Sequence, residues 1–519
     1  MQFMVVDRGQ ALDLSHLPLA ALVRDAWNDE GFVTMFHLVV VDTAERVHQI
    51  GTVKIGRYGQ ADRRNTRTDV PERFDALPDE YFSLGQDDTY YRQLADLGDM
   101  IRIQVLTGLR DMAFDRAIFE HARDESVTIY SLLRFVRAST VEEQFARIAR
   151  GGARVLAFEV DYRLVPANGD ESNELHMTFR ATPGSLPPTN VHVITGSNGA
   201  GKSVLLSRMA RAAGNPPGGQ ETIGRFTEHG RAPQRQSFTN LVSVSFSAFD
   251  TLPEAVSTPA FPVDYVGLRA TVSDGATVRR TRSLKTPEQL LKLFAKSVEA
   301  CLTGERSERW TKAVRTLMYA NSGLLEEGWL DRFRATSNAA KRKSEARRVF
   351  RNLSSGHKVA LLTVTRLVEL VGERTLVIID EPESHLHPPL LSALVRAISD
   401  LLTDLNALAI IATHSPVVLQ EVPARCVYKL RRFGDQLFAN RPALETFGEN
   451  VGILTQEVFG LEVTNTGFHQ DIKDLVAAGF SFDQIMTEFG GQLGGEAQII
   501  ARSLVATREF DEWHGEERR

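Results

Sequence analysis

The sequence predicts an α/β protein: a parallel sheet flanked by helices, an antiparallel β subdomain beside it, and an extra α/β domain at the N-terminus. Three segments carry that prediction. Val191-His-Val-Ile-Thr195 runs into a glycine-rich loop and then a helix-like segment. Leu376-Val-Ile-Ile379 ends on a pair of acids, and Leu408-Ala-Ile-Ile-Ala412 ends two residues before His414. Short, wholly apolar runs separated by helical patterns read as strands covered on both faces, which is how a parallel sheet is buried.

At 519 residues the chain is long enough for about three units of ordinary size. Hydrophobic residues make up 43% and charged residues 24%, so a folded chain is expected rather than a disordered one. The net charge of −6 leaves no overall nucleic-acid footprint, and any DNA contact needs a local basic patch. Cys301 and Cys426 are the only cysteines. That excludes a disulfide framework and a cysteine-based zinc site, and fits a reducing cytosol. The stretch Met1–Asp7 lacks the basic segment of a signal peptide, and no apolar run approaches the roughly eighteen residues of a membrane span. A soluble, cytoplasmic protein with no membrane contact is the expectation.

Residues 1–148 read as a small α/β domain of unknown role. Two β-rich runs, Phe32–Val41 and Val47–Ile55, flank a polar turn and predict a hairpin. A polar stretch over 58–80 reads as a loop. From Asp88 the pattern turns helical, with Leu94, Leu97, Ile101, Val105 and Leu109 at helical spacing, and a further helix is predicted over Thr140–Arg150. Gly151-Gly152 then opens the main domain, taken as 149–435. Strands are predicted at Val155–Leu164 and Glu174–Phe179, about a turn signal at Ala167-Asn-Gly-Asp170.

Gly196-Ser197-Asn198-Gly199-Ala200-Gly201-Lys202-Ser203 matches G-x-x-x-x-G-K-[ST] in full, after a strand and before the helix-like Val204–Ala210. Glycines let the backbone wrap phosphate so that successive N–H groups point at it. Lys202 reaches the β- and γ-phosphates of ATP in such a loop, and the Ser203 hydroxyl takes a position on Mg²⁺. Asp380, at the carboxyl end of its strand, stands where α/β sheets bind ligands and suits the same Mg²⁺. Glu381 suits the base that orients the attacking water. Glu383 is open between a role in the site and a cap on the next helix.

Upstream of that strand lies Asn352-Leu353-Ser354-Ser355-Gly356-His357-Lys358, followed by an apolar-periodic helix through Leu370. The set of four motifs resembles ABC-type P-loop ATPases of the soluble branch that includes RecF, Rad50 and SMC heads, and it covers roughly residues 150–435. Ser354, Ser355 and Gly356 match the ABC signature, with His357 in place of its Gln or Glu. His414 matches the switch histidine that contacts the γ-phosphate. Asp380-Glu-Pro-Glu-Ser-His-Leu-His387-Pro resembles the segment in RecF-like and OLD-like ATPases; His385 and His387 within it are not read as a metal pair. In the family the signature of one subunit closes the site of another. The resemblance therefore implies a homodimer or higher oligomer held by an ATP sandwich.

The span between phosphate loop and signature has no sustained heptads, and reads as a compact insertion over about 214–340. It contains Pro216-Pro-Gly-Gly219, a strand over Leu241–Phe249, Tyr265–Arg269 and helices from Thr286 to Arg334. Phe246–Asp250 falls where such ATPases have their Q-loop, but no glutamine is there. The compactness resembles single-chain ATPases of bacterial anti-phage systems, especially the Septu type. That resemblance implies control of a separate effector, a nuclease of possible HNH kind; the alternative is a DNA-repair ATPase of RecF or Rad50 kind. A basic run of Lys341, Arg342, Lys343, Arg347, Arg348 and Arg351 reads equally as a phosphate-backbone track and as a solvated helix face. Residues 436–519 read as mostly helical, with neither a Toprim nor an HNH constellation, so no nuclease activity of this chain's own is expected.

Overall fold

The structure, a computed structural model, describes every residue except 61–65, 154, 166–173, 215–222, 229–235, 248–256, 259–260, 275–276, 303–305, 320–321, 337, 435, 464–466 and 517–519. The turn expected at Ala167–Asp170, the Pro216–Gly219 segment and most of the Q-loop stretch lie outside the described residues.

The centre is a seven-stranded sheet in the order Val263–Gly267, Asn240–Ser245, Thr375–Asp380, Leu408–Thr413, Val191–Thr195, Val427–Phe433, Gln436–Asn440. All neighbours are parallel except the last pair. The three runs singled out by their apolar character are adjacent, and all their residues are buried except Asp380 at one tip. A three-stranded antiparallel sheet, Leu175–Ala181, Phe158–Leu164 and Arg225–Glu228, covers one side. This is an α/β fold. Its sheet runs on past residue 435, because Gln436–Asn440 pairs with Val427–Phe433 as an edge strand.

The insertion builds a helical layer from Pro287–Cys301, Arg306–Leu317 and Trp329–Ala335. Its first helix starts with a capping box in which Thr286 and Gln289 satisfy each other's backbone N–H groups. Phe294, Trp310, Val314 and Phe333 pack there against the same core as the helix Ser355–Leu370 and the helix Pro388–Leu405. Past the sheet, the helices Phe468–Ala477, Phe482–Glu488 and Gly495–Glu516 share a small core of Ile472, Ile485 and Ala501.

The N-terminal residues form a six-stranded sheet with its own core, in which the expected hairpin is Met35–Val41 against Val47–Arg57. Four of its strands had no sequence signal: Gln2–Val6 and Leu19–Arg24, paired in parallel, Arg73–Phe74 within the stretch read as a loop over 58–80, and Tyr81–Gly85. The helical stretch after Asp88 is two helices, Asp88–Asp96 and Asp99–Gly108, broken at Gly98, whose φ of 93° lies in the left-handed region. Arg309 of the insertion clamps this domain to the main one. Its guanidinium donates to Asp87 at 2.7 Å, to Asp88 at 2.7 Å and to Asp404 at 2.7 Å. Arg147 adds an ion pair to Glu373 at 2.7 Å, and Arg137 donates to the carbonyl of Leu370 at 3.1 Å.

Two buried groups make the domains respond oppositely to acid. Burial raises the Asp111 carboxyl, in the N-terminal domain, from 3.8 to about 6, against the N–H groups of Phe114 and Ala113 that favour its charge. Burial pushes His192, on the strand before the phosphate loop, from 6.5 down to about 3. The folded state holds the Asp111 proton more tightly, so that contribution to stability is present below pH 3.8 and lost as pH rises through about 6. At His192 the unfolded chain binds the proton more tightly, so the contribution is present above 6.5 and lost as pH falls toward about 3. Acidification from about pH 7 to about pH 5 should therefore slow amide exchange, corrected for intrinsic rates, in the N-terminal sheet and speed it in the central sheet. Asp111→Asn and His192→Asn should each abolish one half of that response, and parallel trends in both sheets would contradict it.

Candidate active site

The parallel register brings the candidate residues to one edge. Thr195 is paired with Thr413 and Asp380 with Ala412, so the phosphate loop, the acids and His414 all leave the carboxyl ends of neighbouring strands. The loop is shaped by its glycines. Gly196 has φ 152° and lies so close to the Leu430 carbonyl that a Cβ would collide with it, and Gly201 has φ 94°. Lys202 opens the helix Lys202–Gly214, is 6% exposed, and donates to the carbonyls of Gly196 at 2.8 Å and Ser197 at 3.0 Å. It thereby holds the loop in a curl. Ser197, Asn198, Gly199 and Ala200 complete that curl, with Ala200 N–H donating to Ser197 at 3.2 Å.

These residues fit ATP and Mg²⁺. A loop whose conformation requires glycine, ending on a lysine and a helix N-terminus, is a phosphate cradle. Ser203 in the first turn of that helix and Asp380 at the strand tip offer the oxygen ligands that Mg²⁺ prefers. Bound there, Mg²⁺ would neutralise charge on the phosphates.

Glu381 sits at φ 47°, a conformation few side chains adopt, held by its N–H donating to the Ala412 carbonyl at 2.9 Å. Its carboxylate is 3.8 Å from the Nδ1 of His414, and both side chains are part-exposed. Glu383 takes the role that the sequence left open. Its Oε1 lies 2.9 Å from His414 Nδ1 and accepts from the backbone N–H of His414 at 2.8 Å and the Thr413 hydroxyl at 2.8 Å. Glu383 therefore orients the imidazole and fixes which nitrogen, Nε2, is turned away from the carboxylates. The only sequence signal was its place three residues after Asp380. Glu383→Gln is expected to slow ATP hydrolysis by roughly tenfold while changing KM little, since it acts through His414; steady-state kinetics would instead show a raised KM with kcat little changed if Glu383 held nucleotide.

The signature stands apart from this group. Ser354 caps the helix Ser355–Leu370 by accepting from the His357 N–H at 3.3 Å, and Ser354 and Ser355 are exposed. Gly356 is buried against the chain that follows the acids: a Cβ there would meet the His385 carbonyl at 2.6 Å. His357, the departure from the signature pattern, packs toward His387 with ring centroids 6.4 Å apart. Burial, and then the neighbouring His387, push His357 below its ordinary range. His387 itself caps Pro388–Leu405 through Leu390 N–H at 3.3 Å and meets the Tyr319 hydroxyl at 3.2 Å. In the basic run, on the helix Ala339–Asn352, Arg342 is held by Glu299 at 3.1 Å and Arg348 by Glu345 at 2.7 Å. Among the described residues no helix is long and apolar enough to cross a membrane.

Residues 324–420 match a family described as "AAA domain, putative AbiEii toxin, Type IV TA system". Over an alignment of 532 positions the chain is 36% identical to protein ea59 of Escherichia phage lambda, covering 98% of this chain and 99% of that protein. Similar solved structures include an ATP-binding cassette of an ABC transporter in its ADP conformation, 14% identical, with a TM-score of 0.30 and coverage of 60% of this chain and 99% of the other. Another is cbiO1 from Clostridium perfringens, part of the transporter complex cbiONQ, at 17% identity and a TM-score of 0.27, covering 59% and 94%.

Proposed function

The chain belongs to the family of the phage lambda protein ea59, and from that premise we propose an ATP-driven switch in which ATP closes a dimer and hydrolysis reopens it. One observation carries the reading. The hydrolytic group of Lys202, Asp380, Glu381, Glu383 and His414 is gathered at one sheet edge, while Ser355 lies exposed on a helix packed against the His385–His387 segment. A helix N-terminus with an exposed serine suits the γ-phosphate of a second subunit.

The output of the switch is control of a separate effector, a nuclease, in conflict between phage and host. Two findings support that setting: the matched family's description names a toxin of a toxin–antitoxin system, and a full-length relative is encoded by a phage. In sedimentation, Glu381→Gln with ATP and Mg²⁺ should run as a dimer or larger closed assembly. Mixing Lys202→Ala with Ser355→Ala should restore one composite site per mixed dimer. Mixed dimers without any restored hydrolysis would count against closure in trans.

A further inference from the structure

A cavity of about 820 Å³ lies between the N-terminal domain and the helical layer, away from the phosphate loop. Its volume falls within the range of about 300–1,000 Å³ usual for small-ligand sites. Five carboxylates line it, and each is already answered by an arginine. Arg309 holds Asp87 and Asp88, Arg342 holds Glu299, Arg366 holds Glu369, and Arg134 lies 4.0 Å from Glu30.

Four of the lining cations have no such balance. Lys292 and Lys296 stand one turn apart on the helix Pro287–Cys301, and Lys343 and Arg347 one turn apart on the facing helix Ala339–Asn352; all four line the cavity, with no ion pair among the described residues. Deeper, Arg137 donates through Nη2 to Leu370 and lies 3.6 Å from Asp264, but its Nη1 is buried with no hydrogen-bond partner among the described residues. Arg306 reaches the Phe135 carbonyl. Burial pushes both guanidinium groups below their ordinary range, so an arriving anion would relieve a cost already present. Two combs of positive charge over buried guanidinium donors form the arrangement that binds several phosphate oxygens at once.

We propose that this cavity is a second anion site, separate from the phosphate loop, for a compact ligand of nucleotide size carrying several phosphate groups. A duplex runs along an outer surface, whereas the lining here includes the buried guanidinium groups of Arg137 and Arg306, which suit a small ligand. Leu370 and Val371, at the end of the signature helix, also line the cavity, so occupancy bears on the element that would close the ATP site. The inference does not depend on that site being active.

Calorimetric titration of the full-length chain with inorganic tripolyphosphate, without metal, tests it. Binding should survive Lys202→Ala, which removes the phosphate-loop cation. It should weaken at least about tenfold in the double variant Lys296→Ala, Lys343→Ala, whose exposed side chains leave the melting temperature unchanged. Lys296→Glu with Lys343→Glu should abolish it. Loss of all binding in Lys202→Ala, or undiminished binding in both double variants, would overturn the proposal. A short duplex DNA that displaces tripolyphosphate and is lost in the same double variants would assign the cavity to nucleic acid, and would overturn it as well.

Discussion

Glu381→Gln is expected to keep ATP bound and to slow its hydrolysis at least about a hundredfold. The amide preserves the size of the side chain and its place at the strand end, but it cannot take a proton from the attacking water. The unusual φ of 47° at Glu381 is what turns this side chain out of the strand, beside His414 rather than into the sheet. Lys202→Ala should act differently and abolish binding, because it removes the cation and the two bonds that curl the loop. Filter binding with labelled ATP separates the two outcomes. A Glu381→Gln rate within a few fold of wild type would place the base elsewhere, and Glu383→Gln would then show the larger loss.

Arg309→Ala should destabilise the junction between the domains by about 3–5 kcal/mol, the usual consequence of leaving buried charges without their partner. Burial works against the Arg309 charge, but Asp87, Asp88 and Asp404 outweigh it and hold the guanidinium well above its ordinary range. Removing it leaves Asp88 buried among other acids. Thermal unfolding should split into two transitions as the N-terminal domain releases from the ATPase core. Adding Asp87→Asn and Asp88→Asn should recover part of the loss, since the stranded charges are then gone. A single transition at the wild-type temperature would show that the clamp contributes little.

The contrast between these two sites explains what the sequence discloses. Lys202, Ser203, Asp380, Glu381 and His414 each close a local pattern, an apolar strand running into a chemically marked turn, and such patterns are readable one at a time. Glu383 was ambiguous because its partner, His414, lies 31 residues further on, on the next strand. Arg309 was invisible, since Asp87 lies 222 residues earlier and no spacing links them. Gln2–Val6 and Leu19–Arg24 were missed for a related reason: each is short, and parallel pairing across a connecting segment leaves no turn signature. The basic run looked uniform in sequence, yet Arg342 and Arg348 face acids while Lys343 and Arg347 face a cavity.

The signature helix has sixteen residues and so measures about 24 Å from end to end. Ser355 stands at one end; at the other, the Leu370 carbonyl is gripped by Arg137, and Arg147 grips Glu373 three residues on. Such a helix is a stiff lever with its far end fastened to another body. A tilt of about 10° about the Ser355 end would carry the fastened end through about 4 Å, a stroke comparable to most of a helical turn. The N-terminal domain is then the needle on the dial. A protein resting against it could sense whether the nucleotide site is shut without touching nucleotide at all.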